Sequence, residues 1–321
     1  MNMPLLATRL FVRLLPVAAA GCLLAVPRTM LAETLVPGTG EQASGVGDTF
    51  EDPQWTYTFN PPKSSDDVDG KTRAPLGFAN NRRWSESSHR GHPDVLKRVE
   101  TPEGGLPGST GALLMRSLNT GIPNAPSGTT HQDDLVGNTK SGLGGVVPVS
   151  WKPSFVVRVF LPPWEEWEDR VGTSFALRAN CKGSKPGQQG EIYWPGLFIT
   201  RNATDREGKP SASLLVRGRE SGHDYPVRKI EETGWWTLGM SFTADGAVHY
   251  YAHPGVRELS TDDHLASHFP YGFRCEMFQN YFFNVVSADN GRSWSTPWVI
   301  DDPALYLGNR PAAANRAARR R

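Results

Sequence analysis

Residues 234–251, GWWTLGMSFTADGAVHYY, constrain this chain more than any other stretch. Two runs of β-favouring residues flank Ala244-Asp245-Gly246, where glycine can take the positive φ of a tight hairpin turn. Side chains on a strand alternate between faces, so Trp236, Leu238, Met240 and Phe242 share one side. Trp235, Thr237, Gly239, Ser241 and Thr243 fall on the other, which is smaller and more polar. The pattern predicts an antiparallel pair with one face on a core and the other free for solvent or a ligand.

The same rhythm recurs between turn residues along the chain. Strands are expected at 55–59, 111–118, 154–161, 173–179, 191–200, 212–218, 235–243, 247–253, 278–288 and 298–300. No segment carries a sustained helical stripe, although 261–269 could form a short helical turn capped by Thr261. Many strands, 33 Gly, 26 Pro and no β-α alternation argue for an all-β, two-sheet antiparallel jelly-roll sandwich. The hairpin and this rhythm resemble the concanavalin A-like lectin/glucanase superfamily, including its laminin-G-like and polysaccharide-lyase-like members. That resemblance implies a jelly roll that binds or cleaves sugars.

The chain ends differ from its body. Arg9 and Arg13, the apolar run 14–26 and Met30-Leu31-Ala32 have the form of an export signal, giving a signal peptide over 1–32 and a secreted or periplasmic protein. The apolar run is too short for a membrane span. Ala19-Ala20-Gly21-Cys22 faintly resembles a lipoprotein box, the alternative being a lipid anchor on Cys22. Residues 33–49 read as a flexible leader, 50–303 as the sandwich, and 304–321 as a disordered basic tail. Setting aside the eight basic residues of the two ends leaves 26 Lys and Arg against 33 acidic residues, a body charge of about −7. Nucleic-acid binders carry the opposite sign, so no nucleic acid is expected. The protein is taken as a monomer. In an exported chain Cys181 and Cys275 form an even pair suited to one disulfide.

Two motifs read as structure. Residues 287–294, SADNGRSW, resemble a sialidase Asp-box. In such a hairpin Asp289 would accept turn N–H groups and Trp294 would pack over the turn. One copy without a propeller-length repeat predicts a hairpin and no more. Glu166 and Glu168 have the alternate spacing of a retaining glucanase pair, but they follow Pro162-Pro163 and read better as an acidic loop.

The candidate chemistry lies elsewhere. His249, Tyr251 and His253 project from one strand face, and Gln279, Tyr281 and Phe283 share another. A polysaccharide lyase needs a His or Tyr to remove the proton α to a uronate carboxyl group and a polar group to neutralise that carboxyl. His249 and Tyr251 are therefore the candidate bases, with Gln279, or Asn280, as neutraliser. Arg178, Arg217, Arg219 and Tyr193 are candidate substrate-binding residues. The resemblance is incomplete here, because the strand motifs of alginate lyases are missing.

Three functions remain open: a jelly roll binding or processing an extracellular, acidic polysaccharide, a lyase acting by β-elimination, or a surface module for protein contacts. No cofactor is implied. Asp-rich turns at 66–69 and Asp133-Asp134 could hold a structural Ca²⁺. The long polar loops 60–108 and 119–149 are of the kind that carry function.

Overall fold

In the computed structural model, residues 34–63, 77–120 and 132–311 are described. The expected export signal, Cys22, the acidic stretch 66–69 and the last residues of the expected tail lie outside them. From Thr34 onward the chain forms one unit.

The first sheet contains β1 (Glu41–Gly47), β5 (Val95–Val99), β6 (Ala112–Arg116), β9 (Pro153–Leu161), β15 (Gly234–Phe242), β16 (Val248–Pro254), β17 (His264–His268) and β19 (Trp298–Leu307). Its order is β17-β16-β15-β9-β19-β6-β5, with β1 added to β19. The second contains β2 (Tyr57–Thr58), β3 (Phe78–Ala79), β4 (Trp84–Glu86), β7 (Gln132–Gly137), β8 (Val147–Pro148), β10 (Gly172–Lys185), β11 (Gln188–Tyr193), β12 (Gly196–Arg201), β13 (Ala212–Arg217), β14 (Asp224–Ile230) and β18 (Arg274–Val286). Its order is β14-β13-β12-β10-β18-β7-β4-β3-β2, with β11 on β10 and β8 on β18. Both sheets are antiparallel, and the molecule is the two-sheet jelly-roll sandwich that the period-two pattern predicts.

The predicted hairpin is present, with Trp236 opposite Pro254 and Phe242 opposite Val248. Trp236, Leu238, Met240 and Phe242 enter the main core, where they meet Phe175, Leu177, Phe278 and Phe283 of the second sheet. Aromatic rings join the layers: Phe155 stacks on Tyr281 with centroids 5.2 Å apart, and Phe175 lies 5.0 Å from Trp298. Burial of this apolar area is the main force holding the sheets together.

The polar face of the hairpin is not open. Ser241 and Thr237 are fully buried, and Trp235 packs with Ala112 and Val299 while its indole donates to Pro102 and Glu103 carbonyls. Residues read as a flexible leader cover this face. Ser241 Oγ donates to the Leu35 carbonyl, and Gly38 N donates to Ser154 Oγ at 3.3 Å. Glu41–Gly47 then pairs with β19, burying Ala43 and Val46. Composition suggested flexibility; an available strand edge overrode it. At the other end residues 304–307 belong to β19, so the body extends past 303.

The expected helical turn is reduced to a 3-10 turn at Thr261–Asp263, capped by Ser260 rather than Thr261, after which the chain becomes β17. Around residue 289 the roles also shift. Asn290 Oδ1 accepts the Arg292 and Ser293 N–H groups, whereas Asp289 accepts Thr120 N at 2.8 Å. Trp294 stays over a third exposed, with the Arg116 guanidinium 5.4 Å from its ring. Cys181 and Cys275 are buried, unbonded thiols in hydrogen-bond contact, not the expected disulfide.

Candidate functional site

The outer face of the second sheet carries a cleft of about 620 Å³. Its floor follows from strand parity. Phe175, Leu177 and Ala179 point into the core, which turns Arg178 and Asn180 outward. On β18, Tyr281 and Phe283 point inward and leave Asn280 and Phe282 outward. Arg178 stands opposite Phe282, which stands opposite Val136, which stands opposite Ser85. Residues 85–90 form one wall and Trp194, Arg217 and Tyr271 the other. The long polar loops thus contribute directly to the cleft.

Its electrostatics centre on Arg178. This side chain is 94% buried, since its relative exposure is 6%. It donates to the Trp194 carbonyl at 3.2 Å, while its Nε has no hydrogen-bond partner. The Phe282 and Phe198 rings lie 5.4 and 5.7 Å from the guanidinium carbon. Burial, reinforced by Arg217 and Arg90, pushes the guanidinium down to about 9. It remains a cation at neutral pH. The neighbouring arginines have carboxylate partners: Arg217 makes two 2.8 Å bonds to Asp224, and Arg90 lies 3.9 Å from Asp134. Among the described residues no carboxylate is within ion-pair distance of Arg178. Asn180 Oδ1 and Asn284 Oδ1 are likewise buried without a partner.

Tyr271 closes one end. Its backbone has φ 59° and ψ 14°, a left-handed conformation that is rare for a bulky residue. Gly222 leaves room for the ring, since a Cβ there would lie 2.0 Å from Tyr271 Cε1. Burial would lower the Arg217 guanidinium, but Asp224 and the Tyr271 hydroxyl hold it above its ordinary value.

The sequence-predicted residues are divided by this geometry. Arg178 and Arg217 line the cleft. Arg219 is exposed over the Tyr225 ring at 5.1 Å and is not part of the lining. Tyr193 faces the core, stacked on Phe273 at 5.3 Å, and its neighbour Trp194 occupies the cleft wall instead. Gln279 sits in an irregularity of β18 between Phe278, opposite Cys181, and Asn280, opposite Asn180. The register change turns Asn280 into the cleft. His249 and Tyr251 lie on the first sheet, both fully buried, so the expected convergence with Arg178 and Arg217 does not occur. Parity within each strand was readable; assignment to a common sheet was not.

The acidic candidates are structural. Glu168 accepts from Ala288 N at 2.7 Å and pairs with Arg170, while Glu166 is exposed. Asp133 holds Lys63 Nζ at 2.6 Å and Ser117 Oγ at 2.6 Å, and Asp134 accepts from Asn284, so this pair, which lies within β7 rather than in a turn, is engaged with protein donors rather than set out for Ca²⁺. Sequence reasoning missed residues 85–90, Asn180, Trp194 and Tyr271. The length of the polar stretch 60–108 signalled residues 85–90, whereas Tyr271 had no local signal.

No protein-family model matches the chain, and no curated protein does. Similar solved structures include a carbohydrate esterase of the Shiga toxin-encoding bacteriophage phi24B, at TM-score 0.44 and 11% identity over 71% of this chain and 91% of that one. An alginate lyase from Klebsiella pneumoniae matches at 0.36 and 11% identity, over 81% and 95%. An endo-β-1,4-glucuronan lyase from the fungus Trichoderma reesei matches at 0.31 and 12% identity, over 68% and 93%. Among the described residues no helix is long and apolar enough to cross a membrane.

Proposed function

We propose that the cleft binds an extracellular polysaccharide bearing carboxylate or sulfate groups. The observation that carries this reading is Arg178: a buried cation with no carboxylate partner among the described residues, on the cleft floor, with an unpartnered Nε. A carboxylate arriving there would accept charge-assisted hydrogen bonds and relieve the repulsion from Arg90 and Arg217. Trp194 offers an apolar ring on which a pyranose can stack, and Asn180 and Asn280 offer donors and acceptors for hydroxyls. An exported protein, as the first residues suggest, would meet such a ligand. The test is titration with uronate-containing, sulfated and neutral polysaccharides. Arg178→Ala should weaken acidic-glycan binding by about 10- to 100-fold, the worth of a hydrogen bond to a charged group. Arg178→Lys should restore only part, because an ammonium lacks the planar fork. Unchanged affinity in Arg178→Ala would overturn the assignment.

A specific observation favours a second reading, β-elimination in the same cleft. Strained non-glycine backbone gathers at ligand clamps and catalytic centres, and Tyr271 combines such a conformation with a hydroxyl held against Arg217. In that reading Tyr271, not His249 or Tyr251, takes the proton α to the carboxyl group neutralised by Arg178. New ultraviolet absorbance of an unsaturated uronate, lost in Tyr271→Phe, would support it; binding without that absorbance leaves the protein a lectin.

A further inference from the structure

A second chemical cluster lies on the outer face of the first sheet, at its edge. His249 and Ser267 are direct partners across β16 and β17. The pairing shifts between Tyr250, opposite Ala266, and Tyr251, opposite His264, leaving Leu265 as an extra residue. This bulge brings His264 onto the same face as Ser267 despite their odd spacing. Ser267 Oγ then sits 2.6 Å from His249 Nδ1 and 2.7 Å from His264 Nε2. On the far side, His249 Nε2 lies 2.9 Å from Thr243 Oγ1, which lies 2.6 Å from Asp245 Oδ1.

The donor inventory orients the Asp245 end of this chain. Burial would raise the Asp245 carboxyl, but bonds from Thr243 and Ala247 hold it below its usual range, so it is an ionised acceptor. Thr243 therefore donates to Asp245 and must accept from His249 Nε2–H. In its neutral form, with Nε2–H so engaged, His249 presents Nδ1 as the acceptor for the Ser267 hydroxyl proton. His264, which also bonds the Ala266 backbone, meets the same Ser267 oxygen through Nε2. A serine hydroxyl within hydrogen-bond reach of an imidazole, itself oriented through a hydroxyl by a carboxylate, has the arrangement of a base-activated nucleophile. Ser267 is partly exposed. Since β17 is an edge strand, an N–H within one residue of Ser267 points away from β16, a donor of the kind that stabilises an oxyanion.

We propose that Ser267 is a nucleophile for esters of small carboxylic acids, with His249 as its base. The neighbouring face is covered by Tyr251, Leu259 and Val36, which favours a small acyl group. Ser267 Oγ bonds to the ester carbonyl carbon as its proton passes to His249 Nδ1. Collapse of the tetrahedral adduct breaks the bond to the alcohol oxygen, which leaves with that proton. Water, deprotonated by His249, then attacks the acyl carbon; the bond to Ser267 Oγ breaks as Oγ takes that proton back from His249, and the acid is released.

The full-length protein should be treated with a fluorophosphonate probe and, separately, assayed with p-nitrophenyl acetate. The expected result is a single adduct mapped to Ser267 by peptide mass spectrometry, and ester hydrolysis reduced by about 100-fold or more in Ser267→Ala, the scale of general-base activation. Thr243→Val, which removes only a positioning hydroxyl, should shift the pH midpoint of labelling while leaving the adduct on Ser267. Arg178→Ala should leave labelling unchanged, which separates this site from the cleft. Folded wild-type protein that gives no adduct at Ser267, or hydrolysis equal in Ser267→Ala, would overturn the proposal and leave the chain of hydrogen bonds as an edge-strand clasp.

Discussion

Tyr271 shows how one residue's conformation depends on a neighbour far from it in sequence. Its left-handed backbone places the ring across Gly222, which itself has φ +74° and no room for a side chain. Gly222→Ala would force both a strained backbone and a clash with the ring. We expect a loss of about 1–2 kcal/mol in denaturant unfolding, the left-handed penalty for a residue with a Cβ. Acidic-polysaccharide binding should weaken with it as Tyr271 moves. Neither Gly222 nor Tyr271 announces itself in the sequence, because nothing local to either records that they touch. Arg178 is different: its outward parity was readable from the apolar residues on both sides of it.

At the scale of elements, the hairpin of β15 and β16 was the most legible part of the chain. Its alternation is strict, its turn contains Gly246, and the core on one side selects the register. Trp236→Ala should cost roughly 3–5 kcal/mol in chemical unfolding, because the cavity it leaves faces packed side chains of both sheets. A cost near zero would mean that Trp236 is not a core residue. The short strands escaped sequence reading for an equally physical reason. Glu41–Gly47, Phe78–Ala79 and Trp84–Glu86 have little intrinsic β pattern, and they become strands by pairing with β19, β2 and β7. The bulges in β17 and β18 are similarly invisible, yet they decide that Ser267 joins His264 and that Asn280, not Gln279, faces the cleft.

For the molecule as a whole, global stability should carry the signature of Asp301. This side chain is 1% exposed in β19, where burial raises its carboxyl to about 6 despite a 2.8 Å bond from Ser109 Oγ. A carboxyl raised in the folded state binds more protons there than in the unfolded chain between roughly pH 4 and 6. Its contribution to stability therefore falls as pH rises through that window. Asp301→Asn should remove this component, so the gap between the two unfolding midpoints should change from about pH 4 to pH 7. Parallel midpoints across that range would show that Asp301 titrates normally. The sequence by itself determined the all-β class, the Trp-rich hairpin and which residues of each strand share a face, because these follow from local periodicity and turn chemistry. Only the tertiary structure decided that the 34–47 segment covers and joins the first sheet, that His249 and Tyr251 are separated from Arg178 and Arg217, and that Tyr271 and residues 85–90 complete the cleft. Period-two patterning states that a side chain points up or down. Which sheet its strand joins depends on pairing energies between segments hundreds of residues apart, and on the irregularities of register that those pairings impose.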